Sequence, residues 1–197
     1  MAAPRNSIDP TDEKRALRRQ ARQARAAFVA AGHDPAGCGE NLGTHLLRAL
    51  PPRADAVVSG FWPLGEEIDI RPLLLRLHGH GHRVALPVTP ALGQKLTFRL
   101  WRPDDVLVPE RFGTMRPTGP EIIPDYLLVP LLAFDRTCHR LGYGGGFYDR
   151  TLADLAGCIA VGCAYAAQQV DAVPVGPYDV PLRAIATERG VIFREAG

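Results

Sequence analysis

Strand-length apolar runs alternate with helical patterns along most of this chain of 197 residues. Helical patterns at 70–78 and 148–156 connect successive runs, and strands connected in this way pair in parallel, with helices on both faces of the sheet. We therefore predict an α/β fold of three layers, helix, sheet and helix, with a mostly parallel sheet. The predicted strands are 56–62, 83–87, 126–133 and 158–164.

Two helices are predicted ahead of the first strand. The segment 9–32 is rich in Ala, Arg and Gln and ends at a glycine, and the segment 39–50 ends before Pro51. We expect residues 1–11 to be loosely ordered. We expect the whole chain, 1–197, to form a single domain, because ~100–200 residues is an ordinary domain length.

The remaining segments are less regular. Residues 95–101 alternate polar and apolar side chains, which predicts a strand with one solvated face, antiparallel to its neighbour. Residues 102–124 contain five prolines and are predicted to be irregular. A last short strand is predicted at either 184–187 or 191–193.

The composition is that of a globular protein and argues against several classes. With 46% hydrophobic and 22% charged residues, no segment approaches the ~20 apolar residues of a membrane span, and the polar amino terminus shows no secretory signal. We expect a cytoplasmic protein that binds no membrane. The four cysteines include no CxxC pair and do not alternate with histidines at zinc-site spacing, so we expect free thiols and no zinc.

The net charge is only +2, yet basic residues are concentrated in the first predicted helix. A solvated cationic helix face is the commonest reason for such a run, and we assign Arg15, Arg19, Arg22 and Arg25 to it. Clustered arginines also neutralise the phosphates of RNA, so an RNA-binding protein is one alternative. The basic residues are Lys14, Arg15, Arg18, Arg19, Arg22 and Arg25.

The most apolar strand leads into a loop with four glycines, Gly142, Gly144, Gly145 and Gly146. Glycines admit positive φ and expose successive N–H groups, and the start of the following helix adds partial positive charge, so the loop suits a phosphate group. Neither a P-loop, GxxxxGK[ST], nor a dinucleotide fingerprint, GxGxxG, fits the sequence. A tight strand-to-helix connection, with Asp149 as a plain helix cap, is the other interpretation.

The sequence RLGYGGGFYDR at 140–150, preceded by VPLLAFD, resembles the signature of the 5-formyltetrahydrofolate cyclo-ligase family. Weaker matches follow the family's order: KRALR at 14–18, WPLGEEID at 62–69 and AIATERG at 184–190. One departure is Cys138, where the family often has glycine. The resemblance implies the three-layer fold shared with sugar-phosphate isomerases and CoA transferases. It also implies a C–N bond-forming ligase that uses ATP and Mg²⁺ to convert 5-formyltetrahydrofolate to 5,10-methenyltetrahydrofolate, releasing ADP and phosphate.

By this resemblance, one loop serves both substrates. Arg140 and Tyr148 take part in catalysis, Trp62 and Glu67 contact the folate, and the stretch 143–147 contacts the folate as well as ATP. The ATP-binding residues are Lys14, Arg18, Arg140, Leu141, Gly142, Tyr143, Gly144, Gly145, Gly146, Phe147 and Tyr148.

Asp149 and Asp179 match the family's magnesium positions, and two carboxylates with phosphate oxygens and waters form a suitable shell for this cation. Each aspartate also has a simpler interpretation, Asp149 as a helix cap and Asp179 in a proline-flanked turn. Glu66, next to Glu67, is an alternative folate contact. We expect a monomer that binds small molecules and no nucleic acid. Another ATP- or sugar-phosphate-binding enzyme on the same fold is the second alternative.

Overall fold

The computed structural model describes residues 10–155 and 157–194. The helices are α1 (Pro10–Ala30), α2 (Pro35–Ala49), α3 (Arg71–Gly79) and α4 (Phe147–Asp154). The strands are β1 (Val57–Ser59), β2 (Arg83–Val88), β3 (Thr97–Trp101), β4 (Val108–Pro109), β5 (Met115–Arg116), β6 (Tyr126–Pro130), β7 (Ala133–Phe134), β8 (Arg140–Leu141), β9 (Ile159–Cys163), β10 (Ala184–Thr187) and β11 (Gly190–Phe193).

A seven-stranded sheet lies at the centre, in the order β11-β10-β9-β6-β1-β2-β3. Its inner strands run parallel, and the edge strands β3 and β11 pair antiparallel with β2 and β10. The prediction of a mostly parallel sheet is confirmed, and so is the antiparallel strand within 95–101. Both alternatives for the last strand are realised, because 184–187 and 191–193 pair with each other as a hairpin.

Apolar side chains alternate between the two faces of the sheet and fill a core on each. In β6, Tyr126 and Leu128 face the core that α2 and α3 cover, whereas Leu127 and Val129 face the core on the side of α4. Leu17 of helix α1 packs in a smaller cluster with the β7–β8 hairpin. Because helices cover both faces of the sheet, the three-layer prediction is confirmed.

Two predicted strands are shorter than their apolar runs. The run 56–62 pairs only as β1, because Gly60 and Pro63 favour a turn out of the sheet. The run 126–133 leaves the sheet after Pro130, which has no N–H with which to continue the ladder. The chain then turns, and β7 pairs with β8 instead.

Helix α2 begins four residues before its predicted start at Gly39, so that boundary was wrong. The Asp34 carboxylate accepts hydrogen bonds from the N–H groups of Ala36 (3.3 Å) and Gly37 (2.8 Å). Pro35 occupies the first turn, where its missing N–H costs nothing. The cap and the proline together place the helix start.

The segment 1–11 was expected to be loosely ordered. Residues 1–9 lie outside the described part of the chain. Pro10 and Thr11 belong to the first turn of α1, so the expectation was wrong for these two. The other predicted helices form with shifts of one or two residues at their ends: 9–32, 70–78 and 148–156, of which residue 156 lies outside the described residues.

Across residues 10–155 and 157–194, no helix is both long and apolar enough to cross a membrane. All four cysteines carry free thiols, as expected. Burial raises the pKa of Cys138 to about 11 and that of Cys158 to about 12. Both thiols are therefore protonated and unreactive at neutral pH.

Gly39→Ala is expected to destabilise the fold by about 1–3 kcal/mol or more. Helix α2 approaches Asp69 so closely that a Cβ on Gly39 would lie 1.7 Å from the Asp69 carbonyl oxygen, so the helix would have to move away. Chemical denaturation measures the loss. Gly79→Ala, at the end of α3, is the matched control because its Cβ would have nothing within 4 Å. Equal unfolding midpoints for the two variants would contradict the prediction.

Candidate active site

A cleft of about 730 Å³ opens at the carboxyl ends of β1, β2 and β6, the edge of a parallel sheet where ligands commonly bind. Trp62, Thr89 and Pro130 mark the ends of these three strands in the cleft wall. Every residue predicted for the site lines this cleft: Lys14, Arg18, Trp62, Glu67, Arg140, Leu141, Gly142, Tyr143, Gly144, Gly145, Gly146, Phe147, Tyr148, Asp149 and Asp179.

The glycine loop connects β8 to α4 along the cleft. Gly144 and Gly146 have φ of 104° and 65°, in the left-handed region that glycine tolerates best. A Cβ on Gly145 would lie 2.5 Å from the ring of Phe147. Gly146 is the N-cap residue of α4 and has no capping side chain, so the first N–H groups of the helix are available to an anion.

Arg140, in β8, is held on two sides. Its side chain is 4% exposed, and it donates from Nη1 to the Val180 carbonyl oxygen at 2.6 Å and from Nη2 to Asp149 Oδ1 at 2.7 Å. The Val180 N–H also donates to Asp149 Oδ1, at 3.4 Å. Asp149 thus pairs with an arginine instead of with the helix N–H groups, and the interpretation of a plain helix cap is wrong.

Two basic residues of α1 reach the same region. Lys14 forms an ion pair with Asp179, and Arg18 Nε donates to the Gly142 carbonyl oxygen at 2.9 Å. The Gly176 N–H donates to Asp179 at 2.6 Å. Burial alone would raise the pKa of Asp179, but the hydrogen bonds from Lys14 and Gly176 outweigh it and lower the pKa. The carboxylate is therefore ionised at neutral pH.

Glu67 is buried in the cleft wall, whereas Glu66 is exposed to solvent. The Leu64 N–H donates to Glu67 Oε2 at 2.9 Å, and the Tyr143 hydroxyl donates to Oε1. Burial raises the pKa of Glu67, and the hydrogen bonds from Tyr143 and Leu64 oppose this only in part. The structure brings Glu67 and not Glu66 to the cleft.

The three other predicted residues Trp62, Leu141 and Tyr148 have different surroundings in the cleft wall. Trp62 lies at the rim, its ring 6.1 Å from that of Trp101 and 5.4 Å from the Arg71 guanidinium. Leu141 packs its side chain in the cluster of α1 and the β7–β8 hairpin, so it anchors the loop. Burial raises the pKa of Tyr148, so its phenol is protonated, and its hydroxyl makes no hydrogen bond to a described residue.

The sequence profile of the 5-formyltetrahydrofolate cyclo-ligase family matches residues 10–188, which is most of the chain. The chain belongs to this family. A 5-formyltetrahydrofolate cyclo-ligase of Haemophilus influenzae is 33% identical over 181 residues, which cover 87% of this chain and 96% of the relative. One of Escherichia coli strain K12 is 35% identical over 158 residues, 76% of this chain and 87% of the relative. The solved structure of the Aquifex aeolicus 5,10-methenyltetrahydrofolate synthetase superposes with a TM-score of 0.75 and 26% identity, covering 93% of this chain and 94% of that one.

Membership of the cyclo-ligase family makes this chain a ligase.

Helix α1 contributes more residues to the cleft than the sequence predicted. Arg25 was assigned to a solvated face, which is wrong: it is buried, and its Nη1 donates to the Tyr143 hydroxyl at 2.7 Å. Helical spacing is the signal that was missed, because Lys14, Arg18 and Arg25 share one face of a helix. Arg15 and Arg19 are exposed, as predicted, whereas Arg22 is exposed but also lines the cleft.

The segment 102–124 also enters the cleft of this cyclo-ligase family member, which the periodicity of the sequence did not reveal. It is irregular as predicted, apart from a hairpin of the strands β4 and β5, which have two residues each, and a 3₁₀ turn at Arg111–Gly113. Phe112 in that turn lines the cleft, 6.3 Å from the ring of Phe147. Its position depends on how a proline-rich excursion folds back over the sheet, which periodicity does not encode.

Asp149 and Asp179 are suited to a divalent cation. Both line the cleft, and each has one carboxylate oxygen that accepts no hydrogen bond from the described residues. Carboxylates, phosphate oxygens and water are the ligands that Mg²⁺ prefers. In residues 10–155 and 157–194, no group of three acidic, histidine or cysteine side chains could hold a metal ion.

Proposed function

We propose that this chain catalyses the ATP- and Mg²⁺-dependent conversion of 5-formyltetrahydrofolate to 5,10-methenyltetrahydrofolate, with ADP and phosphate as products. The observation that carries the proposal is that one glycine loop joins two unlike halves of one cleft. One half contains Trp62 and Glu67, and the other contains the cations Lys14 and Arg18. Tyr143 of the loop contacts the buried Glu67 carboxylate, and Gly142 accepts a hydrogen bond from Arg18. A loop with contacts in both halves is suited to hold two substrates end to end.

Glu67 and Trp62 would bind the folate. An ionised carboxylate accepts paired hydrogen bonds from the aminopyrimidine ring of a pterin, and Trp62 offers an apolar surface beside it. Phe112 and Phe147 add aromatic surface to the same cleft. The curated relatives are named for a reduced-folate substrate, which supports this assignment.

The cations of the other half would bind the triphosphate of ATP. Lys14, Arg18 and Arg140 line the cleft next to the glycine loop and the amino end of α4. Full charges from side chains and partial charges from N–H groups together favour a polyphosphate. The Arg140 guanidinium offers a planar fork that suits phosphate oxygens.

In the proposed reaction, the formyl oxygen attacks the γ-phosphorus of ATP, the bond from that phosphorus to the bridging oxygen breaks, and ADP leaves. Nitrogen 10 then attacks the formyl carbon and loses its proton, and the C–O bond to phosphate breaks as the ring closes. Arg140 would neutralise charge on the transferred phosphoryl group. Tyr148, a protonated phenol whose hydroxyl makes no hydrogen bond to a described residue, would donate a hydrogen bond to the reacting oxygen.

Asp149 and Asp179 would hold Mg²⁺ together with the nucleotide. The ion would neutralise charge on the phosphates of ATP. The pairing of Asp149 with Arg140 and of Asp179 with Lys14 keeps the carboxylates beside the cations that would bind the same phosphates. The two carboxylates therefore have a position suited to this role.

We also propose that the chain acts as one domain and as a monomer. Helix α1 and the β10–β11 hairpin, from opposite ends of the chain, pack in the core of the same sheet. The residues assigned to both substrates come from a single chain. Size-exclusion chromatography with light scattering tests this, and a stable dimer would contradict it.

The RNA-binding alternative has less support. It depends on α1 presenting a continuous basic face, whereas Lys14, Arg18 and Arg25 contact other groups of the cleft. An enzyme acting on another nucleotide or sugar phosphate is distinguished by its substrates rather than by its fold. Binding of ATP without binding of reduced folates would favour that alternative.

The test is an absorbance assay for 5,10-methenyltetrahydrofolate formed from 5-formyltetrahydrofolate, with and without ATP and Mg²⁺. Product that appears only when all three components are present is the expected result. Omission of Mg²⁺ should abolish the signal and its return should restore it. No product from folded protein would overturn the proposal.

A further inference from the structure

A chain of three polar groups, of which Arg25 and Glu67 are buried, connects helix α1 to the carboxylate assigned to the folate. Arg25 is 7% exposed and Glu67 is 6% exposed. Arg25 Nη1 lies 2.7 Å from the Tyr143 hydroxyl and 3.9 Å from Glu67 Oε1, and the Tyr143 hydroxyl is hydrogen-bonded to the same Oε1. The three groups therefore form one connected cluster.

The chemistry of arginine sets the direction of these hydrogen bonds. A guanidinium donates and never accepts, so the Tyr143 oxygen must accept from Arg25. The Tyr143 proton is then directed to the remaining partner, which is Glu67. An ionised carboxylate accepts such a bond more strongly than a protonated one.

Glu67 needs this support because its surroundings disfavour charge. Burial raises its pKa, and the groups that lower it are the hydrogen bonds from Tyr143 and from the Leu64 N–H, and then the charge of Arg25. Burial and then the charge of Glu67 raise the pKa of the Tyr148 phenol. Among the described residues, Arg25 is the cation within 4.0 Å of the Glu67 carboxylate. The next basic side chain, Arg22, lies over the Tyr143 ring at 6.0 Å.

The burial of Arg25 is itself costly. Its Nε is buried and has no hydrogen-bond partner among the described residues. A buried cation with an unsatisfied donor destabilises a fold, and an apolar residue would fill the same space without that cost. The position therefore favours a role in the site over a role in packing.

We propose that Arg25 is a positioning residue for the folate half of the cleft. It directs the Tyr143 proton to Glu67 and keeps that carboxylate negatively charged, ready for the two N–H donors of an aminopyrimidine ring. Tyr143 and Leu64 occupy one site on each carboxylate oxygen, and each oxygen has a second lone pair for the ligand. This inference rests on the proposed function, because it names a residue that acts through the folate-binding carboxylate.

The test is the affinity for 5-formyltetrahydrofolate, measured by titration calorimetry without ATP from mildly acidic to mildly basic pH. Affinity in the wild type should fall as pH falls through the pKa of Glu67, because the protonated acid no longer accepts both donors. Arg25→Gln should move this midpoint upward by at least about one pH unit, with affinity returning towards the wild-type value at higher pH. Ionisations of the ligand are common to every variant and cancel in the comparison.

Three variants serve as controls. Arg25→Lys keeps a cation that only donates, so its midpoint should stay closer to that of the wild type than the midpoint of Arg25→Gln does. Arg19→Gln makes the same change on an exposed side of α1 and should leave the midpoint unmoved. Glu67→Gln should remove the pH dependence, which assigns the midpoint to Glu67.

An unmoved midpoint in Arg25→Gln, with affinity lower at every pH, would show a merely structural residue and overturn the inference. If Arg25→Gln does not fold, Tyr143→Phe gives a second test, because that ring is 41% exposed and loses only its hydroxyl. Its midpoint must also rise, and an unmoved one overturns the inference. Wild-type protein that binds ATP but no reduced folate would overturn the proposed function itself, which is a different result from an unmoved midpoint.

Discussion

Arg140→Ala is expected to lower the turnover number for cyclisation of 5-formyltetrahydrofolate by about 10³-fold or more. The guanidinium is buried at the base of the cleft and is held by Asp149 and by the Val180 carbonyl oxygen. Alanine removes the charge that would neutralise the transferred phosphoryl group, and water that enters the space screens the remaining charges. Initial rates at saturating substrates measure the loss.

Two variants separate the chemistry from the structure. Arg140→Lys keeps the charge but loses the fork, so its turnover should lie between those of the wild type and the alanine variant. Arg136→Ala removes an exposed arginine from the turn between β7 and β8 and should keep wild-type turnover. Circular dichroism establishes that each variant is folded. Near-normal turnover in a folded Arg140→Ala would remove this residue from the site.

Glu67→Gln is expected to weaken binding of 5-formyltetrahydrofolate by about 100-fold, with ATP binding unchanged. The amide replaces one acceptor oxygen by an NH₂ group, which meets the N–H donors of the ligand, or the O–H donor of Tyr143, with another donor. One partner is then left buried without a hydrogen bond. Calorimetric titration with each substrate separately gives the two affinities.

Glu66→Gln is the matched control, because it makes the same change one residue away on an exposed side chain. It should bind folate as the wild type does. Loss of folate affinity in Glu66→Gln but not in Glu67→Gln would show that Glu66 contacts the folate, and would contradict the assignment of Glu67. Equal loss of ATP and folate binding in Glu67→Gln would indicate a collapsed cleft rather than a lost contact.

Much of the fold follows from local pattern. The apolar run at 126–133 predicts a buried strand, and the glycine loop after it predicts the edge where the cleft lies. In the structure, the residues of β6 alternate between the two cores. The pattern fails where a single residue changes the backbone. Pro130 ends a strand that the apolar run would continue, and Cys138 adopts φ of 61°, a conformation suited to the glycine that the family often has there.

The candidate site was predicted where its residues carry a recognisable motif and missed where they do not. The stretch 140–149 is contiguous, so its resemblance to the family revealed it as a unit. Arg25 lies in a helix rich in arginine, where arginines line the cleft and arginines also face solvent, so residue type alone does not separate the two. Phe112 lies in a segment without periodicity.

The sequence alone determined the three layers, the parallel sheet and the glycine loop at its edge, because periodicity, turn residues and helix ends act between neighbours along the chain. Only the tertiary structure decided which cations of α1 meet the loop. Arg25 and Tyr143 are 118 residues apart, and Lys14 and Asp179 are 165 apart. The angle at which α1 packs on the β7–β8 hairpin sets these contacts, and that angle depends on the whole core at once.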